Sequence, residues 1–212
     1  MIQNRLKEKF TLCVCLCLIS CFSAKALANE HKPHLLIFGD SLSAAYGMDL
    51  EQGWAHLVAL ELSDTLKVTN ASISGETSGG GLARLPVTLD ELKPDLVMLE
   101  LGANDGLQGL SISSMRDNLE QMIRLMRDKE VTVALVGISL PASYGPRYID
   151  NFRATYTELA EKYQLPFIDF YREEFFLEPD SIQQDGLHPT AKTQGRVKDI
   201  VVEFLTSNNL IN

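Results

Sequence analysis

A serine, a histidine and an aspartate of this sequence have the types and spacing that nucleophilic catalysis requires. Ser41 closely follows an apolar run at 34–38. A serine hydroxyl attacks a carbonyl carbon when a base removes its proton, and that base is commonly a histidine oriented by a carboxylate. His188 has Asp185 three residues before it, and residues at this spacing share one side of a helical turn. Asp185 can therefore accept a hydrogen bond from the Nδ1–H of His188, which leaves Nε2 free to act as the base toward Ser41.

Donors for a developing oxyanion are also present. Gly75 has no side chain, so its backbone N–H can approach a ligand, and Asn104 offers a neutral N–H donor that does not titrate. Each residue has a structural explanation too: Ser41 and the Asp185–His188 pair can cap helices, Gly75 suits a turn, and Asn104 suits an Asx turn. It is the combination that predicts acyl chemistry, which needs such donors.

The elements that must position these residues alternate along the chain. Short apolar runs predict strands, and longer stretches with apolar residues at i, i+3 and i+4 predict helices. Such alternation indicates right-handed crossovers, a mostly parallel five-stranded sheet and a three-layer α/β/α sandwich, whose ligands lie at the carboxyl ends of the strands. The strands are predicted at 34–38, 66–70, 95–101, 131–138 and 165–170, and the helices at 53–62, 114–129, 147–163 and 191–206.

Composition excludes several classes of protein. The chain has 212 residues, a net charge of −9 and an isoelectric point near 4.9, which argues against nucleic-acid binding and charge-driven attachment to anionic lipid. All four cysteines lie between positions 13 and 21. If that segment is removed, disulfides, a thiolate nucleophile and cysteine-ligated metals are excluded.

The first 28 residues predict a signal peptide, which leaves a single domain at 29–212. A basic start precedes an apolar stretch at 10–22, which is shorter than the ~20 residues that span a bilayer. Ala26-Leu27-Ala28 has the pattern of a cleavage site, so we expect cleavage after Ala28 and a periplasmic or secreted protein without stable membrane insertion. Two alternatives stay open: an uncleaved anchor, and a lipid on Cys21, which ends a short lipoprotein-like pattern at 18–21.

Four blocks of the sequence, in order, resemble the SGNH/GDSL hydrolase family. They are FGDSLS at 38–43, SISGETS at 72–78, LGANDGL at 101–107 and DGLHP at 185–189. The segments at 70–86 and 140–148 are similar to the bacterial group of multifunctional thioesterases, lysophospholipases and arylesterases. The resemblance covers essentially the whole chain after the predicted signal peptide, and it implies a flavodoxin-like SGNH hydrolase fold.

The resemblance also implies roles for the residues above. It makes Ser41 the nucleophile, His188 the general base and then acid, and Asp185 the residue that orients the histidine. The Ser41 and Gly75 N–H groups and the Asn104 side chain form the oxyanion hole. It implies no metal and no cofactor, and we expect a monomer that acts on small acyl esters or thioesters.

The expected substrates are medium to long acyl chains on thioesters, simple esters and lysophospholipids. An acyl pocket needs an apolar lining, and the candidate lining residues are Leu107, Leu110, Ile112, Tyr144 and Leu187. Two alternatives remain at this stage. One is a carbohydrate O-acetylesterase on the same scaffold, and the other is a non-catalytic exported binding domain of flavodoxin-like shape.

Overall fold

A parallel β-sheet forms the centre of the computed structural model, which describes residues 32–169 and 178–211. Its five strands lie in the order β2-β1-β3-β4-β5, and every neighbouring pair is parallel. The strands are β1 His34–Gly39, β2 Lys67–Asn70, β3 Leu96–Glu100, β4 Thr132–Gly137 and β5 Phe167–Asp169. Each strand lies within a predicted apolar run or within one or two residues of it. The predicted signal peptide lies outside the described residues.

Helices flank the sheet on both faces. The described residues form α1 Trp54–Glu61, α2 Ser78–Leu92, α3 Ala103–Leu107, α4 Ile112–Asp128, α5 Pro146–Tyr163 and α6 Ala191–Ser207. Helix α1 packs on α6, whereas α4 packs on both α2 and α5. The connection from β1 to β2 moves toward one edge of the sheet, and the later connections move toward the other edge. If all of them are right-handed, the pair α1 and α6 covers one face of the sheet, and α2, α4 and α5 cover the other. The predicted three-layer fold is confirmed. No helix among the described residues has the length and apolar character to cross a membrane.

Helix α2 is the main difference from the predicted elements. No helix is predicted between the strands at 66–70 and 95–101, but α2 begins there at Ser78, and Thr77 caps its first turn. Three consecutive glycines lower the intrinsic helix propensity of this segment. Their small size permits close packing instead: a Cβ at Gly81 would lie 2.3 Å from Cδ1 of Leu101. Packing against the sheet therefore outweighs propensity here.

The core consists of the central strands and the apolar stripes of the helices. All residues of β1 and β3 are buried, as expected for strands that are covered on both faces. The stripes predicted on α4 and α5 also face the core, and their buried members are Met115, Leu119, Met122, Ile123, Met126, Phe152, Tyr156 and Leu159. The buried side chains of α4 and α5, including three methionines, thus serve packing.

The register of β1 and β3 places the loops that leave these strands side by side. Gly39 pairs with Glu100, so the chain enters the two loops at the same level of the sheet. Gly102 then turns the chain into α3 with a φ of +119°, and a Cβ there would lie 2.4 Å from the hydroxyl of Tyr156. That hydroxyl donates to the carbonyl of Leu101 at 3.0 Å. A glycine is therefore required where α3 joins the sheet.

Three carboxyl groups are buried beneath this edge of the sheet: Asp40, Glu100 and Asp105. Oε2 of Glu100 accepts hydrogen bonds from the Ser43 hydroxyl at 2.8 Å and the Asp40 N–H at 3.3 Å. Its Oε1 has no hydrogen-bond partner among the described residues. Burial, followed by the charge of Asp40, raises the pKa of Glu100 well above its ordinary 4.5. Burial therefore favours the protonated form of Glu100.

We predict that Gly102→Ala lowers the free energy of unfolding by about 2–5 kcal/mol, because it combines a strained φ with overpacking against Tyr156. Denaturant titration of the purified variant measures this change. Gly195→Ala is the matched control, since Gly195 lies inside α6 and a Cβ there meets no atom within 4 Å. The control should be stabilised by about 0.5–1 kcal/mol. Equal stability of Gly102→Ala and wild type would contradict the packing described here.

We predict that Glu100→Gln makes stability less dependent on pH. A carboxyl whose pKa is raised on folding destabilises the native state progressively as pH rises from its ordinary 4.5 toward the raised value. Glutamine keeps the shape and the acceptor oxygen but does not titrate. The variant's gain in Tm over wild type should therefore be larger at about pH 8 than at about pH 4.5, as measured by thermal unfolding.

Glu203→Gln is the control for that experiment, because Glu203 is exposed on α6. Its Tm difference from wild type should be similar at the two pH values. A Glu100→Gln difference that is equally independent of pH would show that Glu100 is ionised in the native state.

Candidate active site

The structure brings Ser41, His188 and Asp185 into one chain of hydrogen bonds. The Ser41 Oγ lies 2.8 Å from Nε2 of His188, and Nδ1 of His188 lies 2.7 Å from Oδ2 of Asp185. Ser41 comes from the turn after β1, whereas the other two come from the loop that precedes α6. These distances fall in the range for transfer of a proton between a nucleophile and its base.

A local turn fixes the Asp185–His188 pair. Oδ1 of Asp185 accepts hydrogen bonds from the backbone N–H groups of Leu187 at 2.9 Å and His188 at 3.0 Å. Gly186 has a φ of +72°, which allows the chain to turn tightly around the carboxylate. One carboxylate oxygen thus holds the backbone of the turn and the other holds the imidazole.

The charge of Asp185 sets the proton positions in the histidine. Partial burial raises the pKa of Asp185, but hydrogen bonds from the His188 side chain and from the N–H groups of Leu187 and His188 outweigh it. The pKa therefore lies below its ordinary 3.8, and the carboxylate is ionised and can only accept hydrogen bonds. Nδ1 of His188 must then carry a proton, which leaves Nε2 of the neutral ring as the acceptor for the Ser41 hydroxyl.

Gln183 and Tyr46 support the histidine, and the sequence analysis missed both. Nε2 of Gln183 donates to the carbonyl of Tyr46 at 2.8 Å and to the carbonyl of Pro189 at 3.0 Å. The backbone N–H of Gln183 donates to the carbonyl of His188 at 2.8 Å. The Tyr46 ring lies against the imidazole, with 4.3 Å between ring centroids. Gln183 thus joins the loop of the serine to the loop of the histidine, a contact that no local motif signals.

The turn that carries Ser41 is not the start of a helix. Residues 41–47 form hydrogen-bonded turns, in which the N–H groups of Ser43 and Ala44 donate to the carbonyl of Asp40. The helix cap considered for Ser41 is therefore wrong. Among the described residues, the next α-helix after Ser41 begins at Trp54, so Ser41 does not lie at the N-terminus of a helix that follows β1.

Two backbone N–H groups next to Ser41 are open to a ligand. Within the described residues, neither the Ser41 N–H nor the Gly75 N–H has a hydrogen-bond acceptor. Gly75 has a φ of +80°, and a Cβ there would meet no atom within 4 Å, so its backbone faces open space. The two groups have the exposure that binding of an oxyanion requires.

Asn104 lies between the two turns that carry these groups. Its Nδ2 donates to Oδ2 of Asp40 at 3.0 Å and to the carbonyl of Glu76 at 3.0 Å. Asp40 precedes Ser41 and Glu76 follows Gly75, so the amide bridges the loops after β1 and β2. The three residues predicted for the oxyanion hole are therefore brought to one place.

The residues predicted to bind the acyl chain are more scattered. Tyr144 lines an open, mostly apolar cavity of about 360 Å³ whose wall also includes Pro146, Arg147 and Tyr148. The Tyr144 hydroxyl donates to the carbonyl of Leu107 at 2.9 Å, which links the cavity to the loop after α3. Among the others, Leu107 and Ile112 pack against the core, Leu110 is exposed, and Leu187 is half-buried.

Known proteins that are similar to this chain are lipases, esterases and thioesterases by name. A model of the GDSL-like Lipase/Acylhydrolase family matches residues 37–196. An arylesterase of Vibrio mimicus is 42% identical over 196 residues, which cover 91% of this chain and 96% of the relative. A protein of Escherichia coli (strain K12) named thioesterase 1/protease 1/lysophospholipase L1 is 41% identical over 171 residues, or 81% of this chain and 82% of the relative.

A solved structure agrees with these relatives. The psychrotrophic esterase EstA from Pseudoalteromonas sp., inhibited by monoethylphosphonate, matches with a TM-score of 0.78 and 37% identity. The match covers 82% of this chain and 97% of that one. The chain therefore belongs to the GDSL-like lipase/acylhydrolase family, as the sequence resemblance predicted, and it is a hydrolase of ester bonds.

Proposed function

We propose that Ser41 is the nucleophile of this esterase, His188 its general base and Asp185 the carboxylate that orients the base. The observation that carries the proposal is the continuous chain from Ser41 Oγ through both nitrogens of His188 to Asp185, with distances of 2.8 and 2.7 Å. A base at hydrogen-bonding distance from a hydroxyl, itself held by an ionised carboxylate, is the arrangement that activates serine.

Acylation proceeds through a tetrahedral intermediate. The Ser41 Oγ attacks the acyl carbon while its proton moves to Nε2 of His188, and the carbonyl electron pair moves to the oxygen. The intermediate collapses by breaking the bond to the alcohol or thiol, which leaves with the proton from Nε2. Asp185 remains ionised and stabilises the transient imidazolium.

Deacylation repeats these steps with water as the nucleophile. His188 removes a proton from water, the hydroxide adds to the acyl carbon, and the acid leaves as Ser41 recovers its proton. In both halves the oxyanion is bound by the N–H groups of Ser41 and Gly75 and by the Asn104 amide. Removal of one such donor costs on the order of 10²–10³ in turnover.

For the physiological substrate we propose acyl chains of medium to long length, on lysophospholipids, simple esters or thioesters. Tyr144 and Tyr148, which line a shallow depression of about 360 Å³, offer apolar surface for an acyl chain. The names arylesterase and thioesterase 1/protease 1/lysophospholipase L1, given to two relatives, are consistent with this range.

For the place of action we propose the periplasm or the medium. The proposal rests on the signal-like composition of residues 1–28, with cleavage after Ala28, and it treats residues 29–212 as a single monomeric domain. Export would separate the enzyme from cytosolic acyl-CoA, which makes lysophospholipids and external esters its available substrates.

Ser41→Ala should abolish ester hydrolysis and leave the fold intact. We expect kcat to fall by about four to six orders of magnitude, because the variant has no nucleophile. Labelling by a fluorophosphonate probe should also be lost, whereas Ser63→Ala, which changes an exposed loop serine, should retain both activity and labelling. Turnover that survives in a folded Ser41→Ala protein would refute the mechanism, and an inactive, unlabelled wild-type protein would indicate a binding domain.

The catalytic efficiency toward esters should rise with the length of the acyl chain. Each buried methylene contributes about 0.8 kcal/mol, so kcat/KM for p-nitrophenyl esters should rise about fourfold per methylene from acetate until the cavity is filled. Lysophosphatidylcholine should be hydrolysed as well. A preference for acetate, with no turnover of octanoate or lysophosphatidylcholine, would instead support the carbohydrate O-acetylesterase alternative.

A further inference from the structure

Both hydrogens of the Asn104 amide are already in use in the resting enzyme. A side-chain amide nitrogen carries two hydrogens, and Nδ2 of Asn104 lies 3.0 Å from Oδ2 of Asp40 and 3.0 Å from the carbonyl oxygen of Glu76. A third acceptor, the oxyanion of a tetrahedral intermediate, can be bound only if one of these two bonds is given up or shared. The structure therefore raises the question of which bond changes.

Asp40 is the more firmly fixed of the two acceptors. Its side chain is fully buried, and its Oδ1 accepts the N–H of Leu42 at 3.0 Å. Its own N–H donates to Oε2 of Glu100 at 3.3 Å. Asp40 thus connects three parts of the site: the turn of the nucleophile, the end of β3, and the amide of Asn104.

The chemistry of the two acceptors differs as well. An ionised carboxylate accepts stronger hydrogen bonds than a neutral carbonyl. A carboxylate also cannot donate, so only the NH₂ end of the amide can face Asp40, and this fixes which way the Asn104 side chain is turned. The Glu76 carbonyl is neutral and belongs to the same turn as the Gly75 N–H.

We propose that Asp40 is a positioning residue for catalysis. It keeps its hydrogen bond to one N–H of the Asn104 amide, while the other N–H, which donates to the Glu76 carbonyl in the resting enzyme, donates to the oxyanion instead. The proposal rests on the proposed function, in which Asn104 is an oxyanion donor. A neutral acceptor is exchanged for a charged one as the intermediate forms, so the bond is stronger in the transition state than in the ground state. Interactions of this kind raise kcat rather than lower KM.

The charge state of Asp40 matters for this role. Burial raises the pKa of Asp40 to about 7, opposed by hydrogen bonds from Leu42 and Asn104 and assisted by the nearby charges of Glu76 and Asp105. The titratable and charged groups around it are Glu76 with its partner Arg84, Glu100, Asp105, Tyr156, and His188 beside Ser41. Below about pH 7 the carboxyl group takes up a proton and no longer holds the amide as an anion.

The first test is a double-mutant cycle on kcat and KM for a p-nitrophenyl ester. Asp40→Asn should lower kcat about 10- to 100-fold and leave KM within about twofold, and Asn104→Ala should lower kcat about 10²–10³-fold. In the Asn104→Ala background, Asp40→Asn should change kcat by less than about twofold, because its effect acts through Asn104.

The acid side of the pH profile gives a second readout. Protonation of Asp40 should lower kcat of wild type toward the level of Asp40→Asn, so log kcat should fall more steeply below about pH 7 in wild type than in the Asp40→Asn variant. Asp105→Asn is the matched control. Asp105 is also buried, but its carboxylate binds the N–H and hydroxyl of Ser78 at 2.7 and 2.6 Å. It should lower Tm and move the acid limb to lower pH, because the charge of Asp105 raises the pKa of Asp40, while leaving the slope and the kcat above that limb unchanged.

Each outcome is decisive. A full Asp40→Asn effect in both backgrounds, or an unchanged acid slope, overturns the positioning role and leaves the triad intact. No effect of Asn104→Ala overturns the oxyanion role, and with it the positioning role. A rise in KM without a fall in kcat also overturns the proposal.

A measurement on the wild-type enzyme avoids any loss of folding in the variants. Side-chain amide signals of ¹⁵N-asparagine-labelled protein are recorded by NMR, and the Asn104 pair is identified by its absence in Asn104→Ala. Both proton signals should shift as pH crosses about 7, and one of them should move downfield when an alkyl phosphonate probe modifies Ser41. Signals that respond to neither change overturn the proposal.

Discussion

The hydrogen bond between the Ser41 hydroxyl and the His188 imidazole joins residues that are 147 positions apart in the chain. A distance of 2.8 Å is kept only if the turn that carries Ser41 and the loop that carries His188 are both held in fixed positions. On one side, β1 is buried from end to end and fixes the turn that follows it. On the other, the Asp185 turn and the side chain of Gln183 fix the histidine. The chemistry of the enzyme depends on these two supports staying in register.

The sequence predicted the sheet and the chemistry because both leave local signals. Buried parallel strands produce apolar runs, and the Asp185-x-x-His188 spacing places a carboxylate beside an imidazole within one turn. Helix α2 left no such signal, because its glycines lower helix propensity, whereas the close contact of Gly81 with Leu101 is made only in the folded protein. Gln183 and Tyr46 were missed for a related reason, since each acts on a residue that is distant in sequence. Pairing between distant loops has no periodicity that a single sequence can reveal.

Buried carboxyl groups under the site show a conflict between stability and function. Asp40 and Glu100 are almost completely removed from water, and burial raises the pKa of both. An ionised carboxylate beneath the nucleophile is costly to the fold, yet it accepts a stronger hydrogen bond from the Asn104 amide than a neutral acceptor does. Glu100 accepts two hydrogen bonds there. Its raised pKa limits the charge that the two neighbouring carboxyl groups carry together.

The topology of the site also determines when the enzyme can become active. The proposed nucleophile, Ser41, precedes nearly all of the domain, whereas the proposed base, His188, precedes only α6. That helix docks on α1, and its Gln194 accepts a hydrogen bond from the Trp54 N–H at 3.0 Å. A chain that is still being synthesised exposes the serine long before its histidine exists. On the proposed mechanism it cannot attack an ester even when all five strands have formed, because β5 also precedes His188. Hydrolysis begins only after the C-terminal segment has closed the fold, so catalytic activity reports completion of the domain rather than the folding of any one part.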